Sequence, residues 1–169
     1  MLRKLAPLAF VVTTVLAVLA VVVAAVVLPE RVPTHFAANG QADDWSSRTA
    51  AVTVLALITT GVAGLFGAVA QAGPKMSTEW MNVPHKQQWL DAGPEEEMRR
   101  RVRADAFVFG ASTDVVVLSM TIAITQAARS GTDALPGWWF VVAASWVLFR
   151  IAHVVLMHRV RYRLERVVG

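Results

Sequence analysis

Asp114, Arg150 and His153 lie inside otherwise apolar stretches of this chain. An ionisable group in hydrocarbon costs at least about 2.5–3.5 kcal/mol on insertion scales, so each needs a partner or a polar cavity. Asp114 sits about nine residues, or roughly 13 Å, into one apolar run. Arg150 sits about eight residues before the corresponding end of the next. Antiparallel neighbours would hold the two at nearly equal depth, which predicts an Asp114–Arg150 ion pair. Gly110, Asp114, Thr121 and Thr125 share one face by helical spacing, and Trp146, Arg150, His153 and Met157 share another. Such a group can be a structural salt bridge. It can also be a proton-responsive cavity with His153 titrating, because the reference histidine pKa is about 6.5.

His35 with Asp43 or Asp44 offers nitrogen and oxygen ligands, but no spacing here is diagnostic of a metal site. A histidine satisfied by its own loop is the expected state, and no metal is assigned. His153 and His158 are five apart and share no helical face, and His85 lacks a second ligand nearby. Cysteine is absent, so there is no disulfide or thiolate site. There is no glycine-rich phosphate loop, no HExxH helix and no nucleophile elbow. The expectation is a non-enzymatic protein without a cofactor.

The elements that carry these groups follow from composition. Of 169 residues, 56% are hydrophobic and 17% charged, against about 25% charged in a soluble domain. Apolar runs cover 5–28, 49–71, 106–128 and 138–158. Each is long enough for the roughly 30 Å hydrocarbon core. Every backbone polar group there must be satisfied internally, so the runs are helices despite their valine and isoleucine. A signal peptide is the rival for the first run, since Arg3 and Lys4 resemble a charged leader. Its apolar part would be about 7–15 residues with a small-residue cleavage site, whereas this run ends in Val26-Val27-Leu28-Pro29. The predicted fold is an all-α integral membrane protein, one four-transmembrane-helix bundle.

Arg3, Lys4, Lys75, Lys86, Arg99, Arg100, Arg101, Arg103, Arg159, Arg161, Arg163 and Arg166 fall on one side of that bundle. Arg31, Arg48 and Arg129 fall on the other. The positive-inside rule then puts both termini and the middle loop, 73–105, in the cytoplasm. The loop 29–48 faces outward, in a bacterial inner membrane. Basic patches beside spans argue against nucleic acid and for anionic lipid. Trp45, Trp138 and Trp139 suit the interface. Lipid tails are as apolar as leucine, so small residues must let helices approach. Thr60, Gly64 and Ala68, beside Gly61 and Gly67, form one such ridge, and Ala20 and Ala24 another. They are expected to face helices of the same chain, with a homo-oligomer seam as the alternative.

The outward loop opens with two prolines that favour extended backbone, and Asn39-Gly40 is a turn signal. Val32, Phe36 and Trp45 suit folding back toward the membrane. Leu28-Pro29-Glu30-Arg31-Val32-Pro33-Thr34-His35-Phe36, Asn39-Gly40, Asp44-Trp45 and Ser47-Arg48 closely resemble the bacterial membrane family called domain of unknown function 1648. The domain also forms the N-terminal part of SdpI-type immunity proteins, which protect producers of a secreted peptide toxin. Asn82-Val83-Pro84-His85-Lys86 with Trp89-Leu90 resembles a cytoplasmic-loop motif of stand-alone members. The later Gly-Ile-Arg-Thr-like stretch of two-domain immunity proteins is absent. The resemblance implies helices flanking the loop and no catalytic residue.

In the middle loop, Trp80, Met81, Val83 and Trp89 are expected to rest on the inner leaflet. Pro94 suits a first helical position. Glu95, Glu96 and Glu97 then sit near the positive helix end with Arg99–Arg103 further along, in a short helix that runs into the third span. Two functions stand open. In one, Pro33, Thr34, His35, Phe36, Asn39, Asp44 and Trp45 recognise a peptide or membrane-protein partner, in immunity or envelope signalling. In the other, Asp114, Arg150 and His153 serve a small transporter or proton-coupled carrier.

Overall fold

The computed structural model describes residues 2–92 and 94–163, so Gly93 and Arg166 lie outside the described residues. α1 spans Leu2–Val27 and leads into a hairpin of β1, Arg31–Phe36, and β2, Ala42–Ser47. α2 follows at Arg48–Ala72, then short 3-10 turns at Gly73–Lys75 and Thr78–Trp80, and α3 at Lys86–Ala92. α4 is a single helix over Glu95–Ser130, and α5, Gly137–Leu156, runs into a π turn at Met157–Arg161. Among the described residues, four helices are long and apolar enough to cross a membrane. The chain is a multi-pass helical membrane protein, all-α apart from the hairpin.

α4 is the central helix. α1 packs along it most extensively, α2 next, and α5 least of the other three spans. The buried side of α1 is a helical stripe of Ala6, Phe10, Ala17, Val21 and Ala24, continued by Leu28 just past its end, while Leu8, Val11, Val15, Leu19, Val22 and Val26 are left exposed. The third span is longer than its apolar run because the Glu-rich and Arg-rich residues before it continue the same helix. Glu95–Arg99, Glu96–Arg100 and Glu97–Arg101 pair at four-residue spacing, each worth a few tenths of a kcal/mol on a helix. Arg99 and Arg101 also turn inward. Arg99 donates to the carbonyls of Pro74 and Met76 at 2.6 and 2.8 Å, and Arg101 donates to that of Arg161.

Two packing expectations are corrected. The ridge of Thr60, Gly64 and Ala68 is exposed, and a Cβ added at Gly61, Gly64 or Gly67 would meet nothing within 4 Å. α2 turns Ala51, Leu55, Thr59 and Ala70 toward the bundle instead. The close approach comes from Gly110 on α4, against Phe10 and Phe66. Trp89, expected on the leaflet surface, is fully buried with Met81, Met98 and Tyr162 in a small core of its own, whereas Trp80 is 76% exposed.

Candidate functional site

The hairpin is built by its turn and held at three points. Gly40 N–H donates to Ala37 O at 2.8 Å, and Gly40 takes a φ of 83°, so the chain turns where the Asn39-Gly40 pair predicts. Antiparallel pairing runs from Arg31 opposite Ser47 to Phe36 opposite Ala42, with irregularities on either side of His35. Pro33 has no N–H to give a ladder, and a two-stranded ribbon tolerates it. Val32 is fully buried in the core shared by α1, α2 and α4. The Arg48 guanidinium donates to Leu28 O at 3.2 Å and pairs with Glu30, tying the two strand roots together. The tip pairs with the α4–α5 loop: Ala42 N–H to Asp133 O at 2.7 Å and Leu135 N–H to Gly40 O at 2.9 Å. Both connections at this end of the bundle therefore form one surface.

That surface presents Thr34, His35, Asn39, Asp43 and Asp44 to solvent. His35 Nδ1 lies 2.5 Å from Asp43 Oδ1. This hydrogen bond, and the carboxylate charge behind it, raise the imidazole pKa above its ordinary value. Arg31 stacks 4.5 Å over the Trp45 ring, which is half-buried with Phe36. Of the sites expected in this loop, Pro33 is buried scaffold and the polar residues form the exposed face. No group of three metal-ligating side chains gathers among the described residues.

Residues 12–60, from within α1 through the hairpin to the middle of α2, match the family model described as Domain of unknown function (DUF1648). The segment belongs to that family. No curated protein and no solved structure matches the chain. The DUF1648 segment supplies more than the hairpin, because its Thr13 and Thr14 face α4 at mid-span. Asp114 is fully buried there, and its Oδ2 accepts from Thr14 Oγ1 at 2.6 Å and Thr13 Oγ1 at 3.3 Å.

The Asp114–Arg150 ion pair does not form. Arg150 donates instead to Thr113 Oγ1 at 2.7 Å, and its guanidinium lies 4.4 Å from the Phe109 ring centre and 4.9 Å from that of Trp146. Equal depth is correct but the facing is not. Successive helical residues differ by about 100°, so Thr113 points at α5 while Asp114 points at α1. Stability cycles in detergent test this. Asp114→Ala and Arg150→Ala should add within about 0.3–0.5 kcal/mol, whereas Asp114→Ala and Thr14→Val should couple by about 0.5–3 kcal/mol. Coupling of that size between Asp114 and Arg150 would restore the ion pair.

His153 belongs to a different cluster, at the arginine-rich end. Its Nε2 lies 3.5 Å from Asp105 Oδ1, and its ring packs edge-on to Phe109 at 4.9 Å. Asp105 Oδ2 also accepts from Tyr162 Oη at 2.8 Å and Arg161 Nε at 3.1 Å. Burial, and then the Asp105 charge, push the Tyr162 phenol above its ordinary range, so it stays a donor. Trp89 Nε1 donates to Tyr162 O at 2.8 Å. His85, in the left-handed region at φ 56°, reaches His158 O at 3.1 Å. A cavity of about 250 Å³ opens beside Asp105, walled by Phe66, Met81, Phe109 and Met157. Asp105 and Tyr162 are sites the sequence reading passed over. The signal was present: Asp105 borders an apolar run, and Tyr162 is the chain's single tyrosine.

Proposed function

We propose that this is a non-enzymatic membrane protein that recognises a ligand or partner through its hairpin, as an immunity or envelope-signalling component would. The observation that carries this is the fixed shape of the hairpin, with Val32 sunk into the core and the tip paired to the α4–α5 loop. A loop that only connected two spans would not need either tie, and a preformed polar face binds at lower entropic cost. Lysine and arginine gather at the opposite end, which supports a hairpin outside and both termini inside a bacterial inner membrane. The SdpI-type resemblance of the motif supports the immunity form. Carrier function is the weaker reading, since Asp114, Arg150 and His153 meet different polar partners, Thr14, Thr113 and Asp105.

A photoreactive residue in place of Asn39, in cells making the full chain, is expected to give one discrete crosslinked species. His35→Ala or Asp44→Ala should weaken it several-fold at unchanged abundance. A cysteine at Ala38 should react with an impermeant reagent in intact cells, and one at Asp91 only after permeabilisation. No crosslink, or one that falls only as abundance falls, removes the recognition role. Proton flux in proteoliposomes that Asp114→Asn abolishes would establish the carrier instead.

A further inference from the structure

A groove of about 620 Å³ runs between α1 and α4 at the hairpin end of the bundle, within the roughly 300–1,000 Å³ of ligand pockets. Ala20, Val23 and Ile122 give it apolar walls, Thr121 lies at its deep end, and Gln126 and Arg129 stand at its mouth. Thr121 spends its hydroxyl on Val117 O at 2.9 Å, so the deep end offers little to a polar ligand. From Thr121 to Arg129 the helix climbs about 12 Å, close to half of the roughly 30 Å hydrocarbon core. The groove is therefore about one leaflet deep.

The mouth carries a cation without an acid. No acidic side chain lies within ion-pair distance of Arg129 among the described residues, Asp133 four positions on included. Elsewhere at this end Arg48 is paired with Glu30 and Arg31 is stacked on Trp45. Gln126 accepts from Trp138 Nε1 through its carbonyl oxygen at 3.1 Å. That contact orients the amide and leaves its two N–H donors for another acceptor. Trp138 in turn is a ring suited to the headgroup zone.

We propose that the α1–α4 groove is a binding site for a lipid with an anionic, phosphate-bearing head, one acyl chain lying along Ala20, Val23 and Ile122. The phosphate meets the Arg129 guanidinium and the Gln126 amide, which together offer a charge and directional donors. The occupant is lipid rather than a partner helix because the unbalanced charge stands at one end only, where Arg129 and Gln126 suit a phosphate head, while Ala20, Val23 and Ile122 suit an acyl chain. Arg129 also complements the carbonyl end of α4, and the experiment separates the two roles.

The full chain in neutral detergent is titrated with phosphatidylglycerol, phosphatidylcholine and inorganic phosphate, and bound species are read by native mass spectrometry. One phosphatidylglycerol should be retained at least tenfold more strongly than phosphatidylcholine, with no retention of free phosphate. Arg129→Ala together with Gln126→Ala should erase that preference. Ala20→Trp, which fills the groove and leaves every charge in place, should block retention while the melting temperature stays close to that of the parent. Equal retention of both lipids, retention unaffected by Ala20→Trp, or a dimer in which the groove is covered by a second copy would each overturn the site.

Discussion

Gly110→Ala is expected to destabilise the protein at the upper end of the about 1–3 kcal/mol range for overpacked cores. An added Cβ would lie 2.6 and 2.7 Å from two ring carbons of Phe10 and 2.8 Å from Phe66 Cβ. The Phe10 ring is itself held by Phe107, with centroids 5.5 Å apart, so it has little room to swing. Phe66 Cβ is fixed to the α2 backbone and cannot move without the helix. One methyl group therefore wedges α4 from both neighbours at once. Gly64→Ala is the matched control, because nothing lies near its Cβ; it should change stability by less than about 0.5 kcal/mol. Denaturation in mixed micelles measures both. Equal effects from the two would show that the helices meet elsewhere, and partial rescue of Gly110→Ala by Phe10→Ala would identify the clash.

Asp105→Ala is expected to cost more, about 3–5 kcal/mol, the range for removing one partner of a buried ion pair. Asp105 is 3% exposed, and its loss strands Arg161, the Tyr162 hydroxyl and the His153 ring together. Asp105→Asn should lose less, since its carbonyl oxygen can still accept from Tyr162, yet it leaves the Arg161 charge unbalanced. The damage should be directional. The turn Met157–Arg161 is tied to α4 through this carboxylate, and Trp89 is tied to Tyr162. Trp89 should therefore become solvent-accessible, seen as quenching by acrylamide in a variant where the other tryptophans are phenylalanine. Normal stability with Trp89 still shielded would mean that the apolar contacts of Met81, Met98 and Tyr162 hold this end by themselves.

The spans and the turn at Asn39-Gly40 were legible in the residues because their causes are local, whereas the strand pairing on either side of that turn was not. A run such as 5–28 must be helical wherever it lies in hydrocarbon, since its backbone has no other hydrogen-bond partner. Asn39-Gly40 turns the chain because Gly40 accepts a positive φ that other residues resist. The continuation of the Glu95–Arg101 segment into the third span was equally readable, from acidic residues at its start and basic ones further along. The depth of each buried polar group came from counting along the helix, and Arg150 does lie level with Thr113 and Asp114.

Facing was decided only by the tertiary structure. Whether Asp114 or Thr113 meets Arg150 depends on about 100° of helix rotation, which is set by packing every side chain of α4 against three neighbours at once. The glycine ridge of α2 was misplaced for the same reason: a small-residue stripe records where a helix could be approached, and the choice of central helix determines where it is. Asp105 and Tyr162 are 57 residues apart in the chain and meet through a buried hydrogen bond. Neither carries a local pattern that names the other. Sequence determined which segments cross the membrane, how deep their charges lie and where the chain turns. The bundle alone determined which charge faces which helix, because that depends on the joint fit of elements distant in the chain.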